Sequence, residues 1–510
     1  MSRYYFDFEN GSNSNNGLSK DSAFKDFGVI DSLEFVAGDK ILLKNGSRFT
    51  TPLLIKNSGS EEEPIVITSY GTAPGKPFID VEESVYAIRI TGEYVILDGI
   101  EVSNVSGKIG ISVLSELHGA THNIIVKNCY VHDIWQKNSM PPREQGGAGW
   151  DHGAGGISVE TNREAPTWFE GLRIENNIVE NVNRTGIWVG GKWFNRWKNS
   201  FPWAANDGKD NVWYPHHDVY VAGNYVDHAA GDGMVVIGCK NLIVEKNRVF
   251  YANCGSRKGA CSAGLWTMNC DGALVQFNEV AFTGREFGGD GEAYDIDNCS
   301  ENTIFQYNYS HHNEGGFMLI CNITCNLAES HHNNIVRNNL SVNDASKRDC
   351  AIFNITGSMQ NVDILNNTVY TDLESRYRLF EIVDYGKTGA ADNVLFANNL
   401  FVSKYKNNLN HFLYNGKFVF DSNIFYNMPA PPKKDNIIDN NIYDLHPVIR
   451  GEGECKYNSF EIGGFIPEWN SPLLKLGKHF PNCSDRDYCG TITTGHNYIG
   501  AFYYKDANIG

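Results

Sequence analysis

The chain has 510 residues, 41% hydrophobic and 20% charged, which is the make-up of a folded water-soluble protein and excludes a largely disordered one. Its 60 Asp and Glu against 43 Lys and Arg leave a net charge of -17, which repels nucleic acid and anionic membranes and favours a neutral partner. This length would ordinarily need several separate cores, unless stacked repeats extend one narrow core.

Met1 to Asn10 has no basic segment leading into an apolar run, so it does not read as a secretory signal. No apolar stretch is long enough to span a bilayer. The expectation is a cytoplasmic protein as the chain stands, or a secreted or periplasmic one if a signal peptide has been removed. Residues 22–33, SAFKDFGVIDSL, predict an amphipathic helix that caps the N-terminal end, within an opening strand-and-cap segment at 1–40. KILLK and PIVITSY then begin a stack of strands.

From about residue 120 a short phrase recurs: aliphatic, two variable residues, Asn, one residue, aliphatic. Its aligned positions are Cys129, Asn177, Asn224, Asn247, Asn278, Asn308, Asn339, Asn367, Asn399 and Asn423. Asn tolerates left-handed backbone geometry and hydrogen-bonds to a copy one coil away, so these residues predict an asparagine ladder at a turn between strands. Intervals of 23 to 32 residues from Asn224 onward suit the coils of a β-helix and are too irregular for a propeller or leucine-rich repeat.

A second strand follows each phrase: GISVE, GIWVG, GMVVI, GLWTM, AYDID and GFMLI. The period of two turns Ile157 and Val159, Ile187 and Val189, Met234 and Val236, Leu265 and Thr267, Tyr294 and Ile296, and Phe317 and Leu319 inward. The alternate residues face out. The predicted fold is all-β: a single right-handed parallel β-helix solenoid over 1–510, with loop insertions at 132–154 and 190–217. The first insertion brings Trp150, Asp151 and His152. The second brings Trp193, Phe194, Trp197, Phe201, Trp203, Trp213 and Tyr214, which either form the loop's own small core or wall off a pocket.

The densest chemistry is in GGDGEAYDIDN, where Asp290, Glu292, Asp295 and Asp297 fall within eight residues. Asp295 and Asp297 face out by the alternation, and Glu314 lies on the turn one coil later. Coils stack about 4.8 Å apart, so carboxylates on neighbouring coils reach the roughly 5 to 5.5 Å separation of a retaining glycosidase. Asp232, aligned with Glu292 two coils on, would approach the wider inverting separation instead. Trp266 and Trp188 share the outward position of Asp295 on earlier coils, as indole platforms for the C–H face of a sugar. The competing reading of the acids is a set of calcium ligands or a solvated face.

Among the histidines His216, His217, His311 and His312, His311 is the best placed to hold a sugar hydroxyl. Of twelve cysteines, Cys239, Cys270 and Cys299 recur in register as small buried side chains, and Cys483 and Cys489 are the nearest to a bridge or metal pair. The ending NYIGAFYY reads as a last strand.

With these motifs, the chain resembles the pectate-lyase-like right-handed β-helix superfamily. YYFDFENGSNSNNGLSKDSAF, GEAYDID and QYNYSHHNEGGF resemble bacterial β-helix glycoside hydrolases in particular. Families 120, 136 and 141 imply β-xylosidase, lacto-N-biosidase, and fucosidase or xylanase activities. Family 120 implies an Asp nucleophile and a Glu acid about one coil apart, here Asp290 and Glu314. Family 136 implies two Asp a few residues apart, here Asp290 and Asp297.

The expectation is a glycoside hydrolase of paired carboxylates and retaining course acting on a neutral glycan. It requires no cofactor, a structural calcium aside, and neither nucleic acid nor membrane is a partner. Catalytic candidates are Asp290, Asp297, Glu314, Glu292 and Asp295. Substrate-binding candidates are Trp266, Trp188, His311, Asp232, His152, Trp213 and Arg285. The alternatives are a polysaccharide lyase, drawing its base from Lys192, Arg196, Lys198, Arg257, Lys258 or Arg285, and a non-catalytic glycan-binding β-helix.

Overall fold

The ladder phrase folds as two short strands joined by a two-residue turn, as in Arg173–Glu175 and Ile178–Val182, or Ile304–Gln306 and Tyr309–His311. Each strand pairs in parallel with its copy on the next coil, Arg173 with Tyr220 and Ile304 with Ile335. The computed structural model describes all residues except 136–151, 198–200, 202–203, 210–211, 256–260, 286–289, 375–376, 408, 413–415, 451–461 and 505–510. Two compact units result, Met1–Trp266 and, after it, Thr267–Arg285 with Asp290–Gly510. Both are coils of right-handed parallel β-helix. No helix of the described residues is long and apolar enough to cross a membrane.

In the first unit Cys129 N–H donates to Asn177 Oδ1 at 2.9 Å, and Asn177 and Asn224 each pass an Nδ2–H to the next carboxamide at 3.0 Å. In the second unit the chain of bonds runs Asn278, Asn308, Asn339, Asn367, Asn399, Asn423 and one step further to Asn441. The ladder residues themselves are not left-handed. Positive φ falls one residue earlier, at Asn176, Lys246, Phe277, Tyr307 and Asn338 among others. That residue makes the turn, and the ladder Asn then points into the core, where its amide satisfies buried backbone groups. Bulky rings at Phe277 and Tyr307 are costly in that conformation, and they stack on each other at 5.2 Å.

Asn339 is fully buried and donates to both Asn367 Oδ1 and Phe305 O. Asn339→Ala removes the donor to Phe305 O and orphans the Asn308 N–H, leaving Asn367 Oδ1 with the residue 339 backbone N–H, so a loss of about 3 kcal/mol is expected. Asn393 makes the equivalent side-chain bond, to Asn361, on the solvent side. Asn393→Ala should cost under about 1 kcal/mol. Comparing the two thermal midpoints tests this, and equal losses would mean the inner ladder carries no special weight.

The second strands form the other long sheet. In the first unit Ile111, Ile157, Ile187 and Met234 stack in register in the core, with Ser112, Ser158, Trp188 and Val235 on the outer face. The leading glycines permit this stacking, because a Cβ on Gly186 would lie 2.6 Å from the Gly233 carbonyl.

In the second unit Tyr294 and Ile296 are fully buried, as expected. One coil on, Tyr294 aligns with Met318 and Asp295 with Leu319, so Met318 and Ile320 take the core positions expected of Phe317 and Leu319. The doubled glycine at 315–316 shifts the frame by one residue, and Phe317 packs before the strand against Tyr294 and Phe353.

The N-terminal cap is helical but built as two 3-10 turns, Lys20–Ser22 and Phe27–Ser32, started by the side chains of Ser19 and Asp26. Cys239, Cys270 and Cys299 are fully buried thiols. Cys483 and Cys489 are not bridged, and Cys483 Sγ donates to Asn366 Oδ1.

Candidate active site

The acidic segment of the second unit lies on the outer face of the second-strand sheet. Strands Tyr294–Asp297, Met318–Asn322, Ala351–Gly357, Arg378–Val383 and His411–Phe412 run side by side there. Their register sets one outward column of Asp295, Leu319, Asn354, Glu381 and His411. Beside it stands a second column with Cys321 and Thr356 in register, next to Asp297.

The buried Cys321 thiol bonds the Asp297 side chain, and its pKa rises well above its ordinary value through burial and then the charges of Asp297, Asp295 and Asp290. Glu292 is 2% exposed, and no described group hydrogen-bonds its Oε2. Burial, then the charge of Asp290, push its pKa up to about 8, against the pull of Arg285 and the Asn354 amide. Arg285 bonds Cys350 Sγ at 2.8 Å, and its charge acts on both Glu292 and Asp290. Gly291 makes this approach feasible. It has φ of +74°, and a Cβ there would stand 2.9 Å from Arg285 Cβ.

The segment therefore places beside Asp290 a carboxyl whose pKa is moved far from the ordinary carboxylate range. Environments that separate carboxyl pKa values in this way are what acid–base chemistry needs. Glu314 accepts the Arg285 backbone N–H and pairs with Lys347 at 3.1 Å, which anchors its carboxylate to the turn. His311 is on Tyr309–His311 in the other sheet, where it meets Glu279, His312 and Phe282. The phrase YNYSHHN contributes the ladder strand, so its histidine does not share the second-strand face with Asp295.

The first unit gathers four of the expected residues around an ion pair that sequence reasoning missed. Asp232 is fully buried, with Oδ2 2.6 Å from Arg184 Nη1 and 3.0 Å from His152 Nδ1. Its Oδ1 accepts Trp266 Nε1–H at 2.9 Å and Ala263 N–H at 3.1 Å. Burial raises the Asp232 pKa, but the Arg184 charge and the His152 and Trp266 bonds outweigh it and hold the carboxyl below the usual carboxylate range. Both oxygens are occupied, so Asp232 orients Trp266 and His152 rather than offering an acceptor to a sugar.

His152 stacks over Trp188 at 5.2 Å, and each indole is 8% exposed, so neither presents the open platform expected. The signal that could have found Arg184 is a single Arg directly before the small-residue start of TGIWV.

The second insertion builds its own core from Phe194 and Phe201, tied by Asn195 to the Phe201 backbone. Trp213 packs half-buried against the Arg196 guanidinium at 4.6 Å. His216 pins the loop: Nδ1 accepts Phe169 N–H at 3.1 Å and Nε2 donates to Gly190 O at 3.0 Å. That bonding requires a neutral ring. Burial brings the His216 pKa down to about 4, with the neighbouring His217 charge adding to it and the Gly190 bond opposing.

Because the folded pKa lies below the unfolded one, stability is full above about pH 6.5 and falls as pH drops toward 4, by up to about 1.4 kcal/mol per pH unit. His216→Gln should flatten the fall in thermal midpoint between pH 6.5 and 4.5. An unchanged slope would show that other groups carry it.

Trp150, Asp151, Trp203, Lys198, Arg257 and Lys258 lie outside the described residues. Of the other basic candidates, Lys192 pairs with Glu160 at 2.8 Å and Arg196 is held by tryptophan rings. Among the described residues no group of three or more His, Cys, Asp or Glu is arranged to hold a metal ion.

Residues 29–139 match the family described as Chondroitinase B, a stretch that ends before the acidic segment. The chain is 24% identical to a lacto-N-biosidase of Bifidobacterium longum subsp. longum over 98% of its own length, and it spans 36% of that curated relative. Among solved structures it resembles the GH136 lacto-N-biosidase of Eubacterium ramulus, with a TM-score of 0.62 and 24% identity over 81% of this chain and 68% of that one. The complex of XylC with xylose aligns over 98% of both chains at 12% identity and a TM-score of 0.55. These structural likenesses establish the β-helix fold.

Proposed function

We propose that this chain is a glycoside hydrolase that cleaves an O-glycosyl bond in a neutral oligosaccharide, with Asp290 and Asp297 as its working carboxylates. The observation that carries this reading is the acidic face of the second unit, where burial and the charge of Asp290 raise the Glu292 pKa to about 8. Similarity to a lacto-N-biosidase supports the same class of substrate.

In the retaining course, one carboxylic acid protonates the glycosidic oxygen while the other carboxylate attacks the anomeric carbon and the leaving sugar departs as an alcohol. Water, deprotonated by the first group, then releases the sugar from the resulting ester.

The test is a panel of 4-nitrophenyl glycosides of xylose, fucose, galactose and lacto-N-biose, with nuclear magnetic resonance of the first anomer formed. Retained configuration on one of them is expected. Turnover of none of these, with an unsaturated uronate formed from an acidic glycan, would replace the hydrolase with a lyase.

A further inference from the structure

One exposed aromatic ring borders the acidic face and has no part in the assignments above. Tyr385 is 60% exposed, against 8% for Trp188 and Trp266. It follows the strand Arg378–Val383, and its position is built. Its N–H donates to Thr356 Oγ1 at 3.1 Å, and its hydroxyl donates to Glu381 Oε1. Glu381 is nearly buried and is itself fixed by Arg378 Nη1 at 2.7 Å.

The loop behind the ring is closed by Asp384, which accepts Thr388 N–H at 3.0 Å and Gly389 N–H at 3.2 Å. Thr388 donates back to the Asn322 carbonyl at 2.7 Å. Gly386 lies flat on Ile323, where a Cβ would come within 2.5 Å of the Ile323 side chain. An exposed ring held at its hydroxyl, its backbone and the base of its loop has lost its conformational freedom before any ligand arrives. That lowers the entropy cost of stacking.

The position relative to the acids follows from the register. Thr356 lies in the outward column one coil below Cys321, and the strand that Tyr385 follows is one coil further, three spacings or about 14 Å from the Asp297 level. It is only one coil beyond Asn354, whose amide bonds the Glu292 side chain, about 5 Å along the stack and within the reach of a disaccharide. Arg285, whose charge reaches Asp290 and Glu292, also acts on the Tyr385 phenol, so the ring and the acids share a neighbour. Between them the column runs through Leu319 and Asn354, Glu381 stands on the coil of Tyr385, and His411 follows one coil beyond.

We propose that Tyr385 is a sugar-stacking platform, which binds a second pyranose of the substrate one coil beyond the Glu292–Asn354 contact, with Arg378 beside it for a hydroxyl and Glu381 holding both in place. The inference rests on the hydrolase reading for its substrate class and gives that site a minimum ligand of two sugars. The ring's exposed face suits the C–H face of a sugar, and the charged pair beside it suits hydroxyls.

The experiment measures binding apart from turnover. Xylobiose and lacto-N-biose at millimolar concentration are titrated against the full chain carrying Asp297→Asn, alone and with Tyr385→Ala or Tyr385→Phe, and read by saturation-transfer nuclear magnetic resonance and calorimetry. Tyr385→Ala should weaken binding of one of the two disaccharides at least about tenfold, as loss of roughly 1.4 kcal/mol of stacking does. Tyr385→Phe, which keeps the ring, should stay within about threefold of its parent.

In the active chain, Tyr385→Ala should raise KM for a 4-nitrophenyl disaccharide glycoside with kcat little changed, and leave a 4-nitrophenyl monosaccharide unaffected. Unaltered disaccharide binding in Tyr385→Ala, no binding by the parent, or equal loss on mono- and disaccharide substrates would each overturn the platform. Disaccharide binding that depends on Tyr385 in a chain that hydrolyses nothing on the panel would keep the platform and reject the hydrolase.

Discussion

If the chain acts as proposed, Asp290→Asn and Asp297→Asn are each expected to lower kcat/KM on its glycoside by at least about a thousandfold, with thermal midpoints close to the parent. The amide keeps the size of the carboxyl but neither attacks an anomeric carbon nor cycles a proton. Glu314→Gln is the control. Its carboxylate already accepts the Arg285 N–H and pairs with Lys347, so less than about a tenfold loss is expected. If Glu314→Gln were the most damaging of the three, the Glu one coil from Asp290 would be the acid, and the pairing of Asp290 with Asp297 would fall.

Glu292 gives the same face a signature in stability. Its folded pKa, raised to about 8 by burial and by Asp290, lies above that of an unfolded Glu. The folded state therefore binds one more proton than the unfolded state between about pH 4.5 and 8, and stability falls as pH rises through that window. Glu292→Gln removes this cost and should raise the unfolding free energy at pH 8 relative to the parent by about 4 kcal/mol, seen as a higher thermal midpoint, with little gain at pH 4.5.

The repetitive parts of this molecule were legible in the sequence because repetition is itself the physical constraint. Asn308, Asn339 and Asn367 must each carry a carboxamide to satisfy the coil beside them, so the ladder is written once per coil. The alternation in AYDID likewise placed Tyr294 inward and Asp295 outward, because one face meets the core. It failed at GGFMLI, where two small residues left two frames open and only the pairing of Tyr294 with Met318 decides between them.

Contacts that join loops to distant coils left no periodic trace. Arg184 with Asp232, Tyr385 with Glu381 and Arg285 with Cys350 depend on turns whose path no spacing encodes. Extending the alternation through AIFNITG and RLFEIV would have exposed Asn354 and Glu381, since both occupy the outward position of Asp295.

Asp232→Asn should be among the most destabilising single changes in the first unit, at about 3 to 5 kcal/mol. Arg184 is 1% exposed, so removing its partner's charge leaves a guanidinium buried without compensation. Arg184→Met should cost a similar amount from the other side, because it strands a carboxylate that keeps only His152, Trp266 and a backbone N–H. Arg184→Met combined with Asp232→Leu should recover most of the loss, since a buried pair is worth little more than apolar residues of the same volume.

The double-mutant cycle separates this from simple packing damage, in which the two losses would add. The recovered variant also isolates the positioning part of Asp232. With the fold restored, the Trp266 indole has lost its acceptor and His152 its partner, so tryptophan fluorescence should stay altered while the thermal midpoint returns. Full recovery of both would reduce the Asp232 contacts to packing alone.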